Sequence, residues 1–552
     1  LFYPIAVDEP RGFFAGIAPV EELAMANDIA KDVKAGIPPE PPVSRRNVFA
    51  FFAMVLGMFM AILDIQIVSA SLSEIQAGLG ASSDEAAWVQ TAYLVAEVIM
   101  IPLSGMAARI LSTRVMFTIS AAGFTAASAL AATATNIDQM IIYRALQGFI
   151  GGGMIPSVFA AAFIIFPPSK RPIVSPIIGL IATLAPTIGP TVGGYLSHSF
   201  SWHWLFLVNV PPGIIVTIAA WTLIDFDKPE PGLARNFDWT GLISMGVFLG
   251  ALEYVLEEGN NKGWLQDEKI AIGTVAIVVA GLVFFYRAFT AKFPIVDLKA
   301  FTNRNFAFGT AFSFIMGVGL YGLTYLYPVY LSAIRGYDSL MIGETMFVSG
   351  LAMFFTAPVA GIMSRKLDPR VMMMIGFFGF GCGTLMMTRM TADWDFWELF
   401  VPQILRGCSM MIAMVPINNV ALGTLPPDRI RNASGLYNLS RNLGGAVGLA
   451  VINTMLTRQT RSHYEQLSEH VQWGRPEARD MVNSMTNKFN ALGLDGGTVA
   501  IKQLAGMVKQ QAYILSFIDV FLLLTSLFAM LVVSSFLIKK PEGPAGASGG
   551  GH

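Results

Sequence analysis

The chain has 552 residues, 54% apolar and 13% charged, with a net charge of −1 and a mean hydropathy of +0.58. Soluble proteins carry about a quarter charged residues, so an ordinary soluble domain is excluded. The balanced charge and the lack of a basic run argue against nucleic acid as a partner.

Residues 1–46 read as a cytoplasmic tail rather than a secretory signal, because they lack a basic region leading into an apolar run and a cleavage site. Within them Val20–Val33 has the pattern of a surface helix, and Pro38 to Pro42 form a stiff linker ending in Arg45 and Arg46. Apolar runs of the length a bilayer core requires then begin near residues 48, 86, 115, 138, 173, 203, 239, 269, 306, 340, 370, 397, 433 and 512. Prolines interrupt the fifth run. A long outer loop at 458–510 separates the last two, and Thr460 to Val471 within it has the pattern of a polar helix. Residues 541–552 read as a flexible tail or tag remnant. Cys382 and Cys408 both fall inside apolar runs, which leaves no loop disulfide framework.

Orientation follows from the short loops. One side collects Arg109, Arg114, Lys170, Arg171, Lys228, Arg235, Lys292, Lys299, Arg304, Arg365, Lys366, Arg370, Arg429 and Arg431. The other holds few basic residues and carries Glu85, Glu257, Glu258, Asp393 and Asp395. Lys and Arg stay on the cytoplasmic side, so both termini are expected inside, and fourteen spans satisfy that requirement.

The chain also repeats itself. Gly105, Arg114, Val115 and Met116 recur in order as Gly361, Arg370, Val371 and Met372, and Arg144–Gln147–Gly148 corresponds to Gln403–Arg406–Gly407 with arginine and glutamine exchanged. Two six-span bundles, over 47–226 and 300–540, with a two-helix hairpin inserted at 238–290, account for the pattern. Duplicated halves of this kind rock about a site near the bilayer midplane.

Asp64, Glu97, Arg144 and Arg406 lie inside apolar runs, where a charge costs about 2.5–3.5 kcal/mol on insertion scales. Such groups need a partner or a water-filled cavity. Asp64 and Glu97 are the candidate proton carriers, and Arg144 and Arg406 the charges that modulate them. A proton taken up from outside by Asp64 or Glu97 would favour release of a solute there and leave to the cytoplasm when the inner side opens.

A longer motif carries a resemblance. Ala185, Pro186, Gly189, Pro190, Gly193, Gly194 and Tyr195 are followed by Ser201–Trp202–His203–Trp204 and by Asn209, Pro211 and Gly213. This run is similar to the antiporter signature of the major facilitator superfamily, and within it the chain resembles the fourteen-span drug:proton antiporters of the EmrB/QacA type. Leu63–Asp64–Ile65–Gln66–Ile67–Val68 resembles that family's Leu-Asp-x-Thr-Ile-Val element, with Gln66 in place of threonine. The loop after the second span departs from the pattern: Arg109 stands where an aspartate is expected and Ser112 where a glycine is.

The resemblance implies an all-α membrane protein of the major facilitator fold, with fourteen transmembrane helices. It turns spans one, two, four and five of each half inward, which places Gln66, Tyr93, Phe159, Tyr325, Met414, Asn418, Asn419, Asn438 and Arg441 at a substrate cavity. Arg441 hints at tolerance for anionic groups. The function it implies is proton-coupled export of amphipathic or hydrophobic compounds by alternating access; the alternative is an exporter of one physiological solute such as a fatty acid, lysolipid or siderophore. A bacterial inner membrane, and in double-membraned cells a periplasmic adaptor and an outer-membrane channel, go with that function. An enzyme is not expected: no zinc motif or nucleophile elbow occurs, and Gly151–Gly152–Gly153 lacks the Lys-Ser of a nucleotide loop. No cofactor is expected, since the proton gradient would supply the drive.

Overall fold

The computed structural model describes residues 43–539 apart from 472, 473 and 494. The helix expected at Val20–Val33 and the tail at 541–552 lie outside the described residues. The described residues from Ser44 to Lys539 belong to one compact unit, and among the described residues every regular element is helical.

The first six membrane helices are α1 (Arg45–Ala70), α2 (Ser83–Leu111), α3 (Thr113–Ala131), α4 (Ile137–Ile165), α5 (Arg171–Ser199) and α6 (Val210–Leu223). α7 (Trp239–Glu258) and α8 (Glu268–Thr290) follow, then α9 (Arg304–Arg335), α10 (Ser339–Lys366), α11 (Pro369–Met387), α12 (Phe396–Gly423), α13 (Pro427–His470) and α14 (Gly496–Ser534). Lipid offers no partner to a free peptide group, so a spanning helix must satisfy its backbone itself and end where polar caps are available. The loops supply them. Asn136, Asp267, Asn303, Asp338 and Asp368 each accept a bond from a first-turn N–H, and Ser82 with Glu85 and Asp395 with Glu398 form capping boxes.

Packing follows the sequence repeat. α1 lies on α5 as α9 lies on α13, α2 on α4 as α10 on α12, and α3 on α6 as α11 on α14. The two halves meet along α5–α10 and along α2–α13, pairs that the same duplication interchanges. α7 and α8 pack on each other, and α7 leans on both α2 and α13.

Several sequence expectations change. Thirteen helices are apolar and long enough to cross a membrane, among the described residues, and α13 is not one of them. Its place in the bundle, matching that of α5, comes from packing rather than from apolarity, since it buries Asn438 and Arg441 among other helices instead of facing lipid. α5 runs unbroken from Arg171 to Ser199 although Pro176, Pro186 and Pro190 lie within it. Its neighbours hold the helix where each proline removes a backbone donor. The polar segment Thr460–Val471 continues α13 to His470, which shortens the outer loop to 471–495 around a helix at Pro476–Ala491. Glu257 and Glu258 belong to the last turn of α7, not to a loop.

Candidate functional site

Asp64 is the hub of a sealed polar cluster in the first half. Arg144 Nη1 donates to Asp64 Oδ2 at 2.6 Å, while Asn209 Nδ2 and Gln147 Nε2 donate to Oδ1 at 2.7 and 3.1 Å. Gln147 also reaches Ser128 Oγ at 2.7 Å and accepts from Arg144 at 2.7 Å. Arg144 Nε donates to the Val89 carbonyl, and the guanidinium lies 4.2 Å from the centre of the Tyr93 ring. Asp64 and Arg144 are both 0% exposed. Removing two charges from water is repaid only when geometry and extra hydrogen bonds are good, and here α1 to α4 and Asn209, just before α6, contribute them, leaving Arg144 Nη2 without a partner.

The second half repeats the shape without the acid. Arg406 Nη2 donates to Thr324 Oγ1 at 2.8 Å and Nη1 to Gln403 Oε1 at 3.4 Å, with the ring of Tyr327, on α9 rather than on the counterpart of α2, 5.5 Å away. Among the described residues no carboxylate pairs with Arg406.

Between the halves lies a cavity of about 640 Å³. α1 contributes Gln66, α2 Gln90 and Glu97, α9 Tyr321, Thr324 and Tyr325, and α13 Asn442 and Asn453; Tyr513 of α14 closes one side. The inserted hairpin is part of the wall, through Glu253, Leu256 and Glu257 of α7. The mouth lies at the end of the helices that carries Asn260, Asn261 and Thr457, opposite the basic loops. Glu97 is 2% exposed and its Oε1 has no hydrogen-bond partner. Glu253 is 6% exposed and its Oε2 has none either. Gly152, in the three-glycine break of α4, makes room for Glu97, since a Cβ there would sit 3.1 Å from Glu97 Cγ.

At the basic end the halves close on each other. Arg431 Nη1 of α13 reaches Asp227 Oδ2 at 3.2 Å, and Asp227 also accepts from the Thr113 N–H and hydroxyl at 2.9 and 2.6 Å. A Cβ on Gly105 would lie 2.8 Å from the Arg431 carbonyl, and one on Gly435 3.1 Å from that of Ile101, so α2 and α13 touch backbone to backbone. Ser175 of α5 bonds Asn419 of α12, and Tyr437 bonds Asn418.

Of the residues the sequence assigned to the cavity, Gln66 and Tyr325 line it. Tyr93 lies under Arg144 instead. Phe159, Met414, Asn418, Asn438 and Arg441 are buried, and Asn419 half-buried, in the packed seam below the cavity. Arg441 holds Asn438 at 3.0 Å and faces the Phe159 ring at 5.3 Å. The physical reason is conformational: a seam closed on one side withdraws the residues of that side from any opening. In the signature, Ala185, Pro186, Gly189, Gly193 and Gly194 are buried and Pro190 lines the cavity. Gly189 is pressed against Gln66, and a Cβ at Gly193 would come 2.8 Å from the Ile67 carbonyl, so these glycines set how closely α5 approaches α1.

Sequence reasoning missed Glu253 altogether and placed Glu257 in a loop. The usable signal was their spacing, since residues four apart share a helix face.

The chain matches the family model described as Major Facilitator Superfamily over residues 54–449. It is 40% identical over 487 residues to the colistin resistance protein EmrB of Acinetobacter baumannii, covering 88% of this chain and 94% of that one. It is 30% identical over 499 residues to the fatty acid resistance protein FarB of Neisseria gonorrhoeae, covering 90% and 96%. Against the multidrug export protein EmrB of Escherichia coli strain K12 it is 29% identical over 519 residues, covering 93% and 99%. With a duplicated helical architecture, a cavity between its halves and relatives that span its length, the chain belongs to the EmrB-type branch of the Major Facilitator Superfamily.

Proposed function

We propose that this chain is a proton-coupled multidrug exporter of amphipathic compounds, working by alternating access in a bacterial inner membrane with its basic loops in the cytoplasm. The observation that carries the reading is Glu97, a carboxyl without a hydrogen-bond partner on one oxygen, set in the wall of a cavity between the halves. The names of the relatives support multidrug export. An unpaired buried charge is far more costly than a paired one. Glu97 is therefore the group to gain and lose the proton, and the Asp64–Arg144 cluster holds α2 and α4 in register with α1 while it does so.

In this reading the mouth beside Asn260 and Asn261 opens outside, and Asp227–Arg431 locks the inside. Protonation of Glu97 from outside releases the solute. The halves then rock, and Phe159, Met414, Asn418, Asn419, Asn438 and Arg441 come to line an inner vestibule. One charge crossing 100 mV supplies about 2.3 kcal/mol, against about 1.4 kcal/mol for each tenfold gradient of a neutral solute. One proton per cycle is sufficient. The segment 471–495 and the extended ends of α13 and α14 are the surface on which a periplasmic adaptor leading to an outer-membrane channel would sit.

The similarity to FarB raises the alternative of a fatty acid. Among the described residues no Lys, Arg or His lines the cavity in this state, so an anionic cargo would find no partner charge there. The test is export from proteoliposomes carrying an imposed pH gradient. Export that persists undiminished after an uncoupler collapses the gradient overturns the reading.

A further inference from the structure

The cavity has two carboxyls, Glu253 and Glu257, that the proposed export function does not use. Glu97, Glu253 and Glu257 line it, and among its lining residues there is no cation. The nearest basic group of the hairpin turn, Lys262, is occupied: its Nζ lies 3.6 Å from Glu258 Oε2 and donates to the Tyr254 hydroxyl at 3.1 Å. Glu258 therefore has a partner, and it does not line the cavity. Glu253 and Glu257 stand one helical turn apart on α7, and no ion pair joins either to a basic side chain among the described residues. Glu97 and Glu253, both more than nine-tenths buried, each present an oxygen without a hydrogen-bond partner in this wall.

Aromatic faces complete the site. Tyr321, Tyr325 and Tyr513 line the same space, and tyrosine rings attract organic cations at short range. The charged wall also comes from an unexpected element. Two of the three carboxyls belong to the hairpin inserted between the duplicated halves, not to either bundle.

We infer that this cavity selects amphipathic molecules bearing a delocalised or quaternary positive charge, and that Glu253 and Glu257 of the inserted hairpin, facing Glu97, are the residues that read that charge. The inference rests on the export reading for its biological sense, but binding tests it separately.

Tetraphenylphosphonium and tetraphenylborate have nearly the same shape and opposite charge, so their affinities for the purified full-length protein compare charge alone. The wild-type chain should bind the phosphonium at least about tenfold more tightly than the borate. In the Glu253→Gln/Glu257→Gln double variant that ratio should fall toward one, and Glu253→Asp/Glu257→Asp should restore it. The aspartate variant guards against a misfolded glutamine variant, since a fold lost through the site's shape would not return with the charge. Equal or tighter binding of the borate by the wild type overturns the inference, as does a ratio unchanged in a folded double glutamine variant. The two readings fail differently. Phosphonium preference without gradient-driven export supports this inference and sinks the exporter, while gradient-driven export of a neutral amphiphile by a protein with no charge preference does the reverse.

Discussion

Asp227 and Arg431 meet at 3.2 Å across the basic end, joining the segment that follows the first bundle to the start of α13 in the second. Both are largely buried, and Asp227 also holds the first turn of α3 through Thr113. Arg109, where the resemblance leads one to expect an aspartate, pairs with Glu230 instead, and the carboxylate that meets Arg431 here is Asp227. Asp227→Asn or Arg431→Gln should loosen the closed end by about 1–3 kcal/mol, the cost of a broken buried hydrogen-bonded pair. The expected outcome is a shift toward the state open at the basic end, read as faster labelling of a cysteine placed in the seam, such as Asn419→Cys. Unchanged labelling in both variants would remove Asp227 from the lock.

Glu97→Gln should abolish gradient-driven export and leave solute exchange between two pools at equal pH near the wild-type rate. A permanently neutral side chain can pass through the cycle but cannot carry a proton. Flux measurements in proteoliposomes separate the two. Loss of both activities together would assign Glu97 to binding alone.

The two buried arginines should respond unequally. Asp64→Asn leaves Arg144 charged, fully buried and short of its carboxylate, a change that costs about 3–5 kcal/mol for such pairs. Arg406 has no acid to orphan, so Arg406→Gln should cost clearly less. Melting temperatures of the detergent-solubilised variants give the comparison, and an equal loss in both would mean that the Asp64–Arg144 pair is not the tie between its helices.

Ser112 has φ 80°, a left-handed backbone that side chains other than glycine's rarely adopt. Its hydroxyl accepts only a long bond, 3.5 Å, from the Val115 N–H. Ser112→Gly should therefore stabilise the protein by about 1 kcal/mol, seen as a raised melting temperature with transport retained. A lower melting temperature would show that the cap outweighs the strain.

At the same end Arg109 donates to Glu230 at 2.8 Å, and that bond, with the nearby Arg109 and Arg431 charges, holds the Glu230 carboxyl below its ordinary range. A group lowered on folding contributes stability that is complete above its unfolded pKa and is lost as pH falls through the folded value. Hydrogen exchange across 224–238 should therefore quicken on acidification below the ordinary carboxylate range. Arg109→Ala should move that change up toward ordinary glutamate behaviour. Identical pH profiles in the two proteins would sever Glu230 from Arg109.

Hydropathy is a local property, which is why the spans up to α12 are legible in the chain as apolar runs, and why the buried charges within them stand out. α13 shows the limit. Its outer half is polar and its inner half carries Asn438 and Arg441, so only the repeat that aligns Arg144 with Arg406 points to a second bundle needing a helix there. Cavity residues are less legible still. Whether Tyr325 or Phe159 faces open space depends on which side of the protein is closed, and both sides are written in the same side chains. Glu253 was hidden for a different reason: its partner surface on α2 lies more than 150 residues away in sequence, at Glu97.

The inserted pair of helices has a consequence for where cargo can go. α7 leans on both α2 and α13 beside the cavity mouth, and on the opposite flank α5 and α10 are packed together along their length, with Gly343 against Thr191 and Gly350 against Leu184. On both flanks a pair of neighbouring helices therefore stands between the chamber and the lipid leaflet. On the export reading, a greasy molecule let go here would meet water first, and its return to the bilayer would be a separate event that a partner beyond the mouth would have time to intercept.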